Sequence, residues 1–265
     1  MTTTEKTSPD RMTSSRKGVR RTYSRKLALA AGIFFVITFI TSIPALFLYA
    51  PVLGNPDFIV SAGADTSVRW GAFLEVFLAL TGIGSAVALY PITKRQNEAV
   101  ALGYVAIRIF ESAVIAVGII SLLAVLALRQ DLGGAGAADA ASLGLVGQGL
   151  VAIHDATFLI GPGVLAGIGN GLLLGYLMYR SNLLPRRLAL LGLIGGPLVS
   201  ASGLLVLLGF YAQLSVPAAI ATIPEFIWEL SFGIWLIVKG FNPSAEILSE
   251  PDKTALNERD RLSLS

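Results

Sequence analysis

Seven ionisable residues, Glu75, Arg108, Glu111, His154, Asp155, Glu225 and Glu229, lie inside long apolar stretches of this chain, with the neutral amide of Asn170 among them. A charge held in hydrocarbon is costly unless it is paired or hydrated, so such residues are the first place to look for chemistry. Glu225 and Glu229 are four apart, which puts two acids on one helix face with no cation beside them. That pattern suits the handling of a proton or a cation. Arg108 and Glu111 are three apart and can neutralise each other, so they read as a structural ion pair. His154 is the only histidine and adjoins Asp155. Consecutive residues point about 100° apart on a helix, so an acid that orients His154 has to come from another segment.

The inventory is poor in conventional enzymatic sites. A zinc site wants several His, Cys or carboxylate ligands, whereas this chain has one histidine and no cysteine. The missing cysteine also excludes disulfides, thiol nucleophiles and palmitoylation. There is no GxSxG elbow, HExxH or phosphate-binding glycine loop, and haem held by paired histidines is excluded. No metal and no cofactor is expected, and a non-enzymatic role is favoured.

The elements that must position these residues follow from hydropathy. Hydrophobic residues make up 54% of the chain and charged ones 14%. They leave six runs long enough for a bilayer core, which takes about 20 apolar residues per helix. The runs cover residues 27–50, 70–91, 103–128, 150–179, 187–210 and 217–239. They predict an all-α membrane protein, a bundle of six transmembrane helices; continuous rather than alternating apolarity excludes a barrel. Residues 1–26 read as a disordered basic cytoplasmic tail, 27–241 as the membrane domain and 242–265 as a polar cytoplasmic tail. The first run is too long to be a signal peptide.

Basic residues gather in the first tail, at Lys94 and Arg95, and at Arg180, Arg186 and Arg187. By the positive-inside rule both termini belong in the cytoplasm, and the expected location is the plasma membrane. The basic tail is expected to attract anionic lipid, not nucleic acid. In this topology the second, fourth and sixth runs descend from outside, placing Glu75, Asp155 and Glu225 about 8 to 12 Å below the outer surface. An outward-facing acidic cavity is the expected consequence.

The fourth run also carries Gly163, Gly167, Gly171 and Gly175. Small residues four apart let a second helix approach closely, so these four read as a packing ridge. On an α-helix they fill an arc of about 120°, away from His154 and Asp155. Upstream lies Gly161-Pro162-Gly163, and the run is too long for one upright crossing. A kink or break is predicted there, as in helices interrupted beside transporter binding sites.

Several stretches, "SIPALFLYAPVL", "GADTSVRWGAFLE", "KRQNEAVALGYVAIRIFE", "HDATFLIGPG", "LLLGYLMYRSNLLPRR", "LGLIGGPL" and "FIWELSFGIWLIVKGF", resemble a bacterial membrane family known as domain of unknown function 4386. The resemblance covers nearly all of residues 25–241. It implies a six-helix integral membrane protein of a bacterial plasma membrane, and implies no activity, ligand or catalytic residue.

Three functional readings fit these residues. The first is handling of a proton, cation or small solute, with Asp155, Glu225 and Glu229 as coupling residues, His154 as a relay, and Glu75 and Asn170 as further binding candidates. The second is an accessory, sensor or structural subunit whose polar groups lock the bundle. The third is an intramembrane enzyme acting on a lipid or isoprenoid, with His154 as base. The bilayer is the expected partner, the small ligand is unidentified, and a homo-oligomer is compatible with the glycine pattern.

Overall fold

The computed structural model describes residues 9–60, 63–131 and 137–249. The predicted tail segments 1–8 and 250–265 lie outside the described residues. Most of the described residues are helical, and no strand is found among them. The helices are α1 (Pro9–Leu53), α2 (Asp65–Thr93), α3 (Glu98–Asp131), α4 (Ala137–Ile160), α5 (Gly175–Ser181), α6 (Arg186–Leu207), α7 (Val216–Val238) and the short α8 (Glu246–Ser249). Two π-helical segments, Gly161–Leu165 and Gly167–Leu174, join α4 to α5.

Six helical spans are long and apolar enough to cross a membrane: Thr22–Leu53, Asp65–Thr93, Glu98–Gln130, Ala141–Ser181, Arg186–Leu207 and Val216–Val238. Each overlaps one of the six apolar runs to within a few residues, and their lengths agree with what a bilayer core requires. The protein is a multi-pass, all-α membrane protein. Residues 9–26 form the start of α1. Pro9 suits a first helical turn, and the arginines and lysines that follow are good helix formers.

Local chemistry sets the helix ends. Gly63 and Ala64 take positive φ before α2, and Asp65 follows in its first turn. Arg129 at the end of α3 donates to Asp65 at 2.6 Å and to the Gly63 carbonyl at 2.8 Å, tying the second and third spans together. At the opposite end Arg25 donates to the Leu236 and Ile237 carbonyls at 2.8 and 2.5 Å, satisfying the last turn of α7. Pro185 precedes α6, and Pro217 lies in the first turn of α7, positions where a missing amide donor costs little.

Each span packs on the next in sequence, and the sixth returns to the first, so the six close into a ring. Apolar side chains fill the ring at its two ends. One cluster, at the end carrying Arg25, includes Phe35, Leu89, Tyr104, Met178, Trp228 and Phe232. The other includes Tyr49, Val52, Phe58, Val68 and Leu122. In lipid such clusters contribute through close packing rather than expulsion of water. The outer surface is apolar, with Phe47, Trp70, Leu80, Ile120 and Ile220 more than half exposed.

The interruption expected in the fourth span is a change of winding more than of direction. The Ala166 amide donates to the Gly161 carbonyl five residues back, and the span bends by only 6°. Pro162 has no amide to donate, and a wide turn relieves the clash of its ring with the preceding turn. The ridge beyond it meets the fifth span. A Cβ on Gly167 would meet the Gly196 carbonyl at 2.5 Å, one on Gly175 the Leu193 amide at 3.1 Å, and one on Gly171 would overlap Gly196 Cα. The two backbones come close at Gly171 and Gly196, with Val199 and Ser200 packed beside Gly167 and Ser200 donating to the Val164 carbonyl at 2.9 Å.

Candidate functional site

Between the two apolar clusters the ring encloses a cavity of about 210 Å³. Every span contributes to its wall. Glu75 and Leu78 come from the second, Arg108, Glu111 and Ile115 from the third, His154 and Asn170 from the fourth, and Glu225 and Glu229 from the sixth; Tyr49 and Val199 add the first and fifth. Six of the seven ionisable candidates thus share one space with Asn170.

Asp155 does not. It follows His154 by one residue on α4, and that 100° turn carries it out of the ring, where its side chain is 61% exposed. It lines a shallower groove with Asn55, Pro56, Gly147 and Gln148. A wider depression of about 660 Å³ at the other end of the bundle is lined by Asn182, Arg186, Lys239 and Asn242 among others. It is an open groove between helix ends and holds none of the candidate residues.

Within the cavity the polar groups form three sets. In the first, Tyr49 donates its hydroxyl to Glu75 Oε2 at 2.9 Å, and His154 Nε2 stands 3.9 Å from Glu75 Oε1. The Tyr49 ring meets the imidazole edge-on at 5.3 Å, so one tyrosine fixes both the acid and the histidine. In the second, Arg108 Nη1 donates to Glu111 Oε2 at 2.5 Å, with both side chains buried. In the third, Asn170 Nδ2 donates to Glu229 Oε1 at 2.5 Å. Asn170 is itself held by Tyr104, which donates to its Oδ1 at 3.3 Å, and by Trp228, whose Nε1 donates to its backbone carbonyl at 2.9 Å.

Glu225 belongs to none of these sets. It is 4% exposed, and both its carboxylate oxygens are buried without a hydrogen-bond partner. Arg108 Nε is likewise buried without a hydrogen-bond partner, as is His154 Nδ1, which stands 3.9 Å from Asp155 Oδ1 on the side away from the cavity. Buried polar atoms are nearly always satisfied in folded proteins, so orphans facing one cavity mark where a bound group would complete the network. Glycine makes the room for Glu225. A Cβ on Gly171 would come within 2.5 Å of Glu225 Oε2, and one on Gly195 within 2.5 Å of the Glu225 amide. The packing ridge and the acids meet at Gly171.

Four carboxyl groups therefore face one guanidinium and one imidazole. The hydroxyls of Thr38, Thr157 and Thr222 also line the space, each donating to a carbonyl of its own helix and leaving its oxygen free to accept. The wall is rich in acceptors, and what it can bind is a species that donates hydrogen bonds or carries positive charge. Among the described residues no group of three or more metal-ligating side chains is close enough to hold a metal ion.

The candidate residues named from sequence did not include Tyr49, Tyr104 or Trp228, which position Glu75 and Asn170. Their signal was an aromatic polar tip inside an apolar run, a placement that requires a partner. The sequence model of the family described as Domain of unknown function (DUF4386) matches residues 30–240. No curated protein and no solved structure matches the chain.

Proposed function

The chain belongs to the Domain of unknown function (DUF4386) family, and from that premise we propose that it binds a proton, a cation or a small cationic solute in the cavity between its spans and moves it within the membrane. One observation carries this reading: Glu225, buried and facing the cavity, has no partner for either carboxylate oxygen. A bundle whose polar groups served only to lock the helices would leave no such acid, because an unsatisfied buried acceptor costs about 1–3 kcal/mol. Glu229 and Glu75 are the further coupling residues, and His154 is the relay between Glu75 and the rest of the cavity. The volume suits a ligand smaller than the drug-sized molecules that fill pockets of about 300–1,000 Å³.

The reading includes a plasma-membrane location with both termini in the cytoplasm, because the basic residues gather at one end of the bundle. The absence of cysteine makes that orientation simple to measure. A single cysteine introduced at Asn182 should be labelled by a membrane-impermeant maleimide only in inside-out vesicles.

Flux of protons and of small monovalent cations in proteoliposomes tests the site. Glu225→Gln and Glu229→Gln are expected to abolish ion-dependent flux, and Asp155→Asn, outside the cavity, to leave it unchanged. Wild-type flux in both glutamine variants would remove these residues from the mechanism. A second reading, acid–base chemistry on a lipid or isoprenoid, is favoured by the approach of His154 to Glu75 at 3.9 Å beside the Tyr49 hydroxyl. It requires that His154→Gln stop turnover of a lipid while leaving ion flux intact.

A further inference from the structure

The cavity has a mouth, and the chemistry of that mouth differs from that of its wall. Its rim is formed by Phe39 and Leu46 of the first span, Phe158 of the fourth and Phe226 of the sixth. Leu46, Phe158 and Phe226 are 45%, 37% and 43% exposed. Phe226 is the eleventh of the 23 residues of Val216–Val238, about 15 Å from either end of its helix. Phe39 is level with it, since their rings meet edge to face at 5.1 Å. Leu46 is two helical turns further from Arg25 on α1. The slot thus begins at mid-helix and runs toward the end of the bundle opposite Arg25. Among the described residues of the connections 54–60, 63–64 and 208–215, none lines it. A vestibule fed by water would be rimmed mainly by polar groups, whereas here aromatic and aliphatic side chains predominate at the depth of the acyl chains, with Ser42 and Thr222 the polar residues beside them.

Resting on the cation-binding reading above, we propose that the cavity takes the head of a membrane-dissolved amphiphile, a long-chain amine or an ethanolamine-headed lipid, entering sideways through the slot between the first, fourth and sixth spans. The ammonium head donates to the unpartnered oxygens of Glu225, and the chain leaves past Leu46, Phe158 and Phe226 into the bilayer. Carboxylates at Glu75, Glu225 and Glu229 repel amphiphiles whose head is net negative, such as an alkyl sulfate, whereas an ethanolamine head enters ammonium first with its phosphate left at the slot. The volume of about 210 Å³ admits a head of a few heavy atoms.

The test is photolabelling of the full chain in nanodiscs by a diazirine-bearing dodecylamine, with sites read by mass spectrometry. Labels are expected on the fourth and sixth spans around Phe158 and Phe226, and a diazirine-bearing dodecyl sulfate is expected to leave them unlabelled. Glu225→Gln should lower amine labelling about tenfold or more, the loss of one charge-assisted hydrogen bond. Leu46→Trp with Phe158→Trp narrows the slot on lipid-facing positions and should lower labelling comparably with thermal stability unchanged. Suppression by phosphatidylethanolamine discs but not phosphatidylcholine discs identifies the bilayer lipid as the source; equal labelling in both identifies a free lipophilic amine. If propylammonium, which has no chain, competes as well as dodecylamine and the narrowed slot labels normally, lateral entry is overturned and the cation site stands. If neither amine depends on Glu225, both readings fall.

Discussion

The fourth span has two sides built on opposite terms. Toward the fifth span it presents glycine, and two backbones come close: Gly167 and Gly171 lie against Gly196, and Gly175 against Leu193. Toward the ring centre it presents His154 and Asn170, and there the neighbouring helices stand back far enough to leave a cavity. One side is specified by volume and tolerates no added atom. The other is specified by charge and tolerates space but not an unbalanced partner. Close packing on the first side helps the second stay open, because the seam holds the span in place together with the few hydrogen bonds that reach Asn170 from the third and sixth spans.

The difference can be broken from either side. The largest effect is expected from Arg108→Met, which leaves Glu111 buried opposite nothing; a loss of about 3–5 kcal/mol in unfolding free energy in mixed micelles is expected. Adding Glu111→Leu should restore most of it, since removing both charges leaves none to compensate. Next comes Gly171→Ala, whose methyl would run into the Gly196 backbone and Glu225. Backbone cannot move aside as a side chain does, so a loss of about 1–3 kcal/mol, read in the same assay, is expected. Tyr49→Phe removes the donor to Glu75 and should cost about 1–2 kcal/mol. The smallest effect sharpens the contrast: a Cβ on Gly163 meets only its own helix, at 3.5 Å or beyond. Gly163→Ala should therefore be neutral or stabilise by about 0.5 kcal/mol through helix propensity. A large loss there would mean that the seam extends further than the contacts indicate.

How far the sequence leads differs in the same way between the two sides. Six spans were legible because a bilayer demands long apolar runs, and little else satisfies it. The start of the fourth was not, because "AADAASLGLVGQ" is helical yet carries few large apolar residues, so the run read as beginning at 150 while the span begins at Ala141. The glycine ridge was legible as a packing device, its partner was not: lipid-facing and helix-facing surfaces are equally apolar, so neighbours cannot be read from composition. The acids were legible as a group through their cost. That Asp155 would point out of the ring followed from helix geometry, though its Oδ1 stays 3.9 Å from His154 Nδ1; which acid would meet the imidazole on the cavity side depended on ring order, which brings Glu75 across from the second span. The missing partner of Glu225 has no sequence signal at all, since it depends on what five other helices fail to place nearby.

The wide winding between Gly161 and Leu174 also sets a phase. A π turn closes its hydrogen-bonded ring one residue later than an α turn, so the stretch accumulates less rotation along its length. Glycines four apart then drift less around the helix than the α-helical arc would have them, and the ridge runs more nearly as a straight rail along the fifth span. The same shortfall fixes the azimuth of everything on the far side of Pro162 relative to that rail. Wound as an ordinary α-helix, the same residues would drift further around the span and set His154 at a different angle to the rail. The fourth span is thus a geared element: its pitch, and not only its residues, sets the angle between its charges and its rail.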